Sequence, residues 1–373
     1  MNEFKLMNLS ANDIESELEK IGFDSSYKKT ASDKFLYKNI KIFDLTSTQV
    51  NILKQSALSV GADCASHKDV ITGSTEKSNA ILGGSYSQIK KIAEKLKSQP
   101  FSLNHLADYI VKELEHLPSK TKLAGILNVT PDSFSDGGKY YEPKDAIKHA
   151  YELIEDGADI LDIGAESTRP FSNEVNAEEQ IKRLKPVLEG LKDINIPISI
   201  DTRSSEVADF ALNSGASIIN DVSGLDYDSK MVDVVSKYDA TVIIQHSKGT
   251  PKDMQINPSY IDVVEEVYLS LLDKISYAND HGVSNIIADI GIGFGKTKED
   301  NYKLLNRIED FKSLHLPLMV GLSRKSLLGV NEPDNNLKDT LSLALSYPLM
   351  KKGIDYLRVH NVKLHRQLLN LAN

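Results

Sequence analysis

The feature that most constrains this sequence is one of rhythm. From Lys122 onward, short β-branched runs alternate with helical stretches. The runs fall at residues 123–128, 160–164, 198–201, 218–220, 241–245, 286–289, 318–321 and 356–359. Near-continuous Val, Ile and Leu in so few residues marks strands buried on both faces, as in a parallel sheet covered by its own crossover helices. Between the runs, residues 144–156, 178–191, 204–213, 260–278, 301–311 and 337–351 carry apolar side chains at helical spacing. Eight such units in about 250 residues predict a closed (β/α)8 TIM barrel, with a doubly wound open sheet as the alternative.

At 373 residues the chain has room for a second domain. In its first part, helix-like stretches at residues 11–21, 47–60 and 87–98 alternate with β-rich ones at 35–45, 69–72 and 80–82. An amphipathic stretch at 103–117 follows, with Leu106, Ile110, Leu114 and Leu117 on one face, and Pro118-Ser119-Lys120 breaks it. The expected organisation is therefore α/β throughout: a small α/β unit in 1–118, then the barrel in 119–373. The first unit has no dense cluster of His, Asp or Cys and no phosphate loop, so it reads as structural, regulatory or an assembly surface.

Composition excludes other classes. The chain is 40% apolar, and no apolar run approaches the roughly 18 residues that span a bilayer, so no membrane partner is expected. A net charge of −9 argues against a nucleic-acid surface, which needs a basic face. The start, Met1-Asn2-Glu3-Phe4-Lys5, lacks a secretory layout, and the lone Cys64 has no partner for an internal disulfide; both point to the cytoplasm.

A barrel enzyme gathers its chemistry at the C-terminal ends of its strands. Here every run ends in polar residues: Asn128; Glu166 and Arg169; Asp201 and Arg203; Asn220 and Asp221; Gln245 and His246; Asp289; Ser323 to Ser326; Arg358 and His360. Any one of these reads equally as a cap or a surface ion pair, but a set on all the strands does not. The stretch Asn128-Val129-Thr130-Pro131-Asp132-Ser133-Phe134-Ser135-Asp136-Gly137-Gly138 has the composition of a long loop able to close over a ligand. In Gly164-Ala165-Glu166-Ser167-Thr168-Arg169-Pro170, hydroxyls and an Arg suit phosphate oxygens. Asp289-Ile290-Gly291-Ile292-Gly293-Phe294-Gly295-Lys296 lets the backbone approach a flat ligand, although alternating Gly also marks ordinary turns. Ser326, in Gly321-Leu322-Ser323-Arg324-Lys325-Ser326, is placed to open a helix that receives an anion.

These segments, in this order, closely resemble dihydropteroate synthase over residues 123–360, most specifically in the 128–138 loop, the Glu166 to Pro170 turn and Ser323 to Ser326. That family joins 6-hydroxymethyl-7,8-dihydropterin diphosphate to p-aminobenzoate in folate biosynthesis. The resemblance implies Mg²⁺ as cofactor with Asn128 as its protein ligand, which is reasonable for a hard cation that keeps most of its waters. It places Asp201, Asn220 and Asp289 on the pterin edge, with Lys325 reaching the pterin carbonyl or ring nitrogen. Arg358, His360 and Arg169 surround the diphosphate, and Phe134, Pro170, Lys325 and Ser326 surround p-aminobenzoate. Thr168 and Asp136 lie in the two loops that close the site, and Asp136, Lys325, Arg358 and His360 are the residues expected to act in catalysis. The implied partners are the two small substrates and, through the barrel helices, a second copy in a homodimer.

The sequence also departs from the family pattern. Gln245-His246-Ser247-Lys248 stands where Met-His-Met-Arg is common, Ile290 replaces a Pro, Ala165 a Gly and Asn361 an Asp. Ser247 and Ile290 are expected to alter the pterin pocket walls, and Lys248 matters because it lacks the fork of an Arg. Two rivals remain at this level: a pterin-dependent methyltransferase acting on a corrinoid, which has no use for a diphosphate cradle, and a catalytically silent pterin-binding homologue.

Overall fold

A computed structural model describes residues 6–7, 9–10, 13–115, 120–130, 143–166, 174–249, 258–330 and 334–372. It divides into two compact units, Met1–Leu117 and Pro118–Asn373.

The first unit is built on a three-stranded antiparallel sheet of β1 (Tyr37–Thr46), β2 (Asp63–Ser66) and β3 (Lys77–Ser85), in the order β1-β3-β2. Both long strands run directly into helices, and the sequence shows why. Thr46 with Gln49, and Ser85 with Gln88, form capping boxes that start the helices Ser47–Leu58 and Tyr86–Leu96 at the strand ends. These helices bury Val50, Leu53, Ile89, Ile92 and Leu96 in one core with Cys64, Leu82, Leu103 and Ile110. The β-rich run at 69–72 is not a strand: Lys68–Val70 is a 3₁₀ turn opened by His67, whose ring nitrogen accepts the Asp69 N–H. Ile71 is left 79% exposed, so the run buries too little to pair. The third strand is instead Asp63–Ser66, which pairs Cys64 with Leu82.

The second unit is the expected barrel. Its strands are β4 (Lys122–Asn128), β5 (Ile160–Gly164), β6 (Ile198–Asp201), β7 (Ile218–Asp221), β8 (Thr241–Gln245), β9 (Ile286–Asp289), β10 (Leu318–Val320) and β11 (Tyr356–Val359). All pair in parallel with their neighbours, and β10 and β11 close the ring between β9 and β4. Alternate residues face opposite ways along each strand. One set, including Leu123, Leu127, Leu161, Ile163, Ile200, Ile219, Ile244, Ala288 and Leu357, packs in the shared core with the surrounding helices. The other set fills the barrel. Its lower layer is apolar: Ala124, Ile160, Ile218, Ile243, Ile287 and Met319. Two residues further along the strands come Asp162, Asn220, Gln245 and Asp289, all buried. The change from apolar to polar within one strand length sets the floor of a site at the C-terminal mouth. The register then lines up the strand ends, pairing Asn128 with Gly164, Gly164 with Asp201, Asp201 with Asn220 and Gln245 with Asp289.

Two barrel segments differ from expectation. The helix expected at 301–311 is Lys298–Asn306, started early by a Thr297–Asp300 capping box, followed by a 3₁₀ segment, Ile308–Leu314. No α-helix opens at Ser326 either: Ser326–Leu328 is a single 3₁₀ turn, closed by Gly329 at φ 71°, and the helix begins at Asn335. Among the described residues, no helix is long and apolar enough to cross a membrane.

Candidate active site

The floor of the mouth is one ionic network. Arg358, on β11, donates from Nε to Asp162 Oδ2 at 2.5 Å and from Nη2 to Asp201 Oδ2 at 2.5 Å. Asp162 also accepts Ser199 Oγ at 2.6 Å and Asn220 Nδ2 at 3.2 Å. Among the described residues, two buried oxygens are left without a partner, Asp201 Oδ1 and Asn220 Oδ1. They belong to residues paired directly across β6 and β7. Burying an acceptor without a donor costs about 1–3 kcal/mol, so this pair marks a place where a ligand supplies N–H groups. Burial pushes the Asp201 carboxyl up to about 7 against the pull of Arg358, with Asp162 and Glu166 adding to the rise.

The loop after β9 forms one wall. Asp289 turns its Oδ1 to the Gly291 N–H at 2.7 Å, and burial raises its carboxyl, opposed by Lys325. The Lys325 ammonium lies 4.6 Å above the Phe294 ring and donates to the Ile292 carbonyl at 2.5 Å. Burial lowers it to about 8, with Asp289 opposing. Gly321 makes room for two cations side by side: a Cβ there would meet Arg358 Cβ at 3.5 Å and Lys325 Nζ at 3.8 Å. The loop is anchored from below by Lys296, only 3% exposed, which donates to the Gly291 and Phe294 carbonyls at 2.9 and 3.0 Å. Lys296 also donates to the His246 carbonyl at 3.3 Å and lies 2.9 Å from His246 Nδ1. Burial, with Lys296 beside it, holds the His246 imidazole far below its usual value and therefore neutral.

On the other side of Arg358, His360 Nδ1 lies 3.0 Å from Ser323 Oγ, and its backbone N–H donates to the same oxygen at 3.2 Å. Arg324, at φ 58°, turns away and forks onto Asp339 at 2.7 and 2.8 Å, where Asn361 joins it at 3.2 Å. This ties the loops after β10 and β11 to the same helix. Asn128 ends β4 with its Oδ1 3.8 Å from where a Cβ on Gly164 would lie, and Asp201 Cβ is 3.6 Å from that point. The missing side chain at Gly164 keeps the amide and the carboxylate on one open surface.

Comparison with known proteins agrees with this arrangement. Residues 124–360 match the family described as pterin binding enzyme. A bifunctional dihydropteroate synthase/dihydropteroate reductase of Helicobacter pylori is 34% identical, with 97% of each chain aligned. The structure of dihydropteroate synthase from Xanthomonas albilineans in complex with 7,8-dihydropteroate superposes with a TM-score of 0.61 at 33% identity, over 69% of this chain and 94% of that one. The chain belongs to the dihydropteroate synthase family. A probable bifunctional folylpolyglutamate synthase/dihydropteroate synthase of Haloferax volcanii is 35% identical over 87% of this chain, which spans 42% of that relative's length.

Of the positions matched to dihydropteroate synthase motifs, Asp201, Asn220, Asp289, Lys325 and Arg358 line one barrel mouth, with Asn128 and His360 at its rim. Phe134, Asp136, Thr168, Arg169 and Pro170 lie outside the described residues. Ser326 is exposed and offers the end of a 3₁₀ turn rather than a helix dipole. Of the departures from the dihydropteroate synthase pattern, Gln245 sits in the buried polar layer of the mouth, where its Nε2 donates to the Val222 carbonyl at 3.3 Å. Ile290 is buried in the core between strands and helices rather than in a pocket wall. Lys248 points to the Ser259 carbonyl at 2.6 Å and over the Tyr260 ring. Sequence reasoning missed Asp162, the hub of the network. Its signal was a lone carboxylate within the apolar run Ile160-Leu161-Asp162-Ile163. It also gave Lys296 no role, because burial alone separates an anchoring Lys from a solvated one.

Proposed function

We propose that this chain condenses 6-hydroxymethyl-7,8-dihydropterin diphosphate with p-aminobenzoate, giving 7,8-dihydropteroate and diphosphate. The observation that carries this reading is the pair of buried, unpartnered oxygens on Asp201 and Asn220. They match the amino and ring N–H donors of an aminopyrimidinone edge, and no aliphatic or purely accepting ligand satisfies them. Asp289 takes further donors, and Lys325 meets the heterocycle's carbonyl or ring nitrogen. Arg358 from the floor network and His360 at the rim hold the diphosphate, joined by Arg169. Ser326, Lys325, Phe134 and Pro170 receive p-aminobenzoate, and Thr168 and Asp136 complete the closed site.

In the reaction, the bond from the pterin methylene to the diphosphate oxygen breaks and that oxygen keeps the electron pair. The neutral aniline nitrogen then forms the new C–N bond and releases a proton. No side chain is needed as a nucleophile. The protein's share is to orient the two reactants and to place Arg358 and His360 where charge develops on the leaving group. Among the described residues no three His, Cys, Asp or Glu converge, so the donor set fits an ion that enters with the diphosphate. Asn128 would hold such a Mg²⁺ through one amide oxygen, and the ion, when bound, neutralises the leaving diphosphate.

The test is incubation with the dihydropterin diphosphate, p-aminobenzoate and Mg²⁺, following diphosphate release and dihydropteroate formation. Folded protein that binds no pterin and releases no diphosphate refutes the reading. The end-to-end match to the Helicobacter pylori relative favours a second reading, in which the full chain also reduces dihydropteroate. Oxidation of a reduced nicotinamide that depends on dihydropteroate tests it. We also infer a cytoplasmic enzyme that pairs as a homodimer; sedimentation of the purified chain tests the dimer.

A further inference from the structure

The substrate contacts proposed above leave the buried carboxylate of Asp162 unused. Asp162 is 1% exposed and sits in the middle of β5, facing into the barrel. It receives donors from three other strands: Ser199 of β6, Asn220 of β7 and Arg358 of β11. An ionised carboxylate only accepts, whereas a side-chain amide has one donating and one accepting end that exchange when it turns over. Asp162 therefore decides which end of Asn220 faces the pocket. Nδ2 is held at 3.2 Å from Asp162 Oδ2, so Oδ1 points away from Asp162; like Oδ1 of Asp201, the strand partner of Asn220, it has no partner among the described residues. The same carboxylate holds Arg358 Nε, so the guanidinium spans Asp162 and one oxygen of Asp201 and leaves the other oxygen open.

We propose that Asp162 is a positioning residue that fixes the hydrogen-bond polarity of the heterocycle pocket: by anchoring Asn220 Nδ2 and Arg358 Nε, it makes the pocket floor a pair of acceptors. The pocket then selects a ring edge carrying N–H donors and rejects one carrying a carbonyl in their place. This rests on the pterin reading of the same site. A merely structural carboxylate, if removed, weakens every ligand alike; a polarity-setting one changes the ratio between two ligands of the same shape.

The probes are 6-hydroxymethylpterin and its 2-oxo counterpart, in which the amino group is replaced by a carbonyl. Neither carries diphosphate, so the anion site is silent, and calorimetry on the full chain gives both dissociation constants. The native protein is expected to prefer the 2-amino compound by about a hundredfold, since the 2-oxo compound sets a carbonyl against fixed acceptors. In Asp162→Asn the new amide offers its own donor to Asn220, which is free to turn, and the preference falls to about tenfold or less. A folded Asp162→Asn protein that keeps the native ratio, even with both affinities lowered, overturns the proposal. If that variant does not fold, the native protein decides: equal binding of the two compounds overturns the proposal and leaves the pterin reading standing, whereas binding of neither refutes both.

Discussion

Asp201 and Lys325 share a difficulty, since each is an ion in a place that disfavours ions. Burial raises the carboxyl to about 7 and lowers the ammonium to about 8. The acceptor role of Asp201 needs its carboxylate, which is lost as pH falls through about 7. The donor role of Lys325 needs its ammonium, which is lost as pH rises through about 8. Plotted against pH, kcat/KM for the pterin diphosphate should therefore form a narrow bell with limbs near those two values. Lys325→Met should remove the alkaline limb, and Asp201→Asn the acid limb, the latter with a loss of about a hundredfold at the optimum. A broad plateau from pH 6 to 9, or near-normal turnover by Asp201→Asn, would contradict the roles given to them. At this scale the sequence was informative where chemistry coincides with position. Asp201 and Asp289 end strands and Asn220 lies one residue before the end of its own, and strand ends can be counted. Asp162 lies inside a strand, and the facing of an amide is set by its neighbours in space, so neither could be read from the order of residues.

The loop after β9 shows how much backbone geometry the site requires. Gly291 sits at φ +67°, and a Cβ there would come within 1.8 Å of the His246 carbonyl oxygen. Because that carbonyl is backbone, Gly291→Ala must displace the end of β8 or the loop itself. We expect a loss of about 3 kcal/mol in urea denaturation, with pterin binding abolished. Gly215→Ala is the comparison: its φ is +101°, but nothing lies within 4 Å. It should cost only about 1 kcal/mol, the strain of the backbone alone. Similar losses in the two variants would mean that the close approach at Gly291 is unimportant. Periodicity located every barrel strand, because parallel strands buried on both faces leave few polar residues to confuse the pattern. It failed where a short apolar run has no partner. Residues 69–72 look like a strand but expose Ile71, and Ser326-Leu327-Leu328 looks like a helix start but is stopped by Gly329.

Each of the two units has a hydrophobic cluster of its own. A protein comprising residues 120–373 should accordingly fold by itself and keep kcat/KM for both synthase substrates within about threefold of the full chain. Circular dichroism and diphosphate release check this, and an insoluble or inactive barrel would give the first unit an indispensable part in the synthase. Within the barrel, β4 starts beside β11, with Lys122 paired to Tyr356. The closing helix, Val362–Ala372, runs back toward the same end, where Arg366 reaches the Gly157 carbonyl and Asp159 at the entrance to β5. Both ends of the barrel chain thus leave from the base, opposite the mouth where Asp201 and Arg358 meet. For the barrel unit taken by itself, those two ends can therefore be joined and the chain reopened elsewhere as a circular permutant, with no covalent link crossing the mouth.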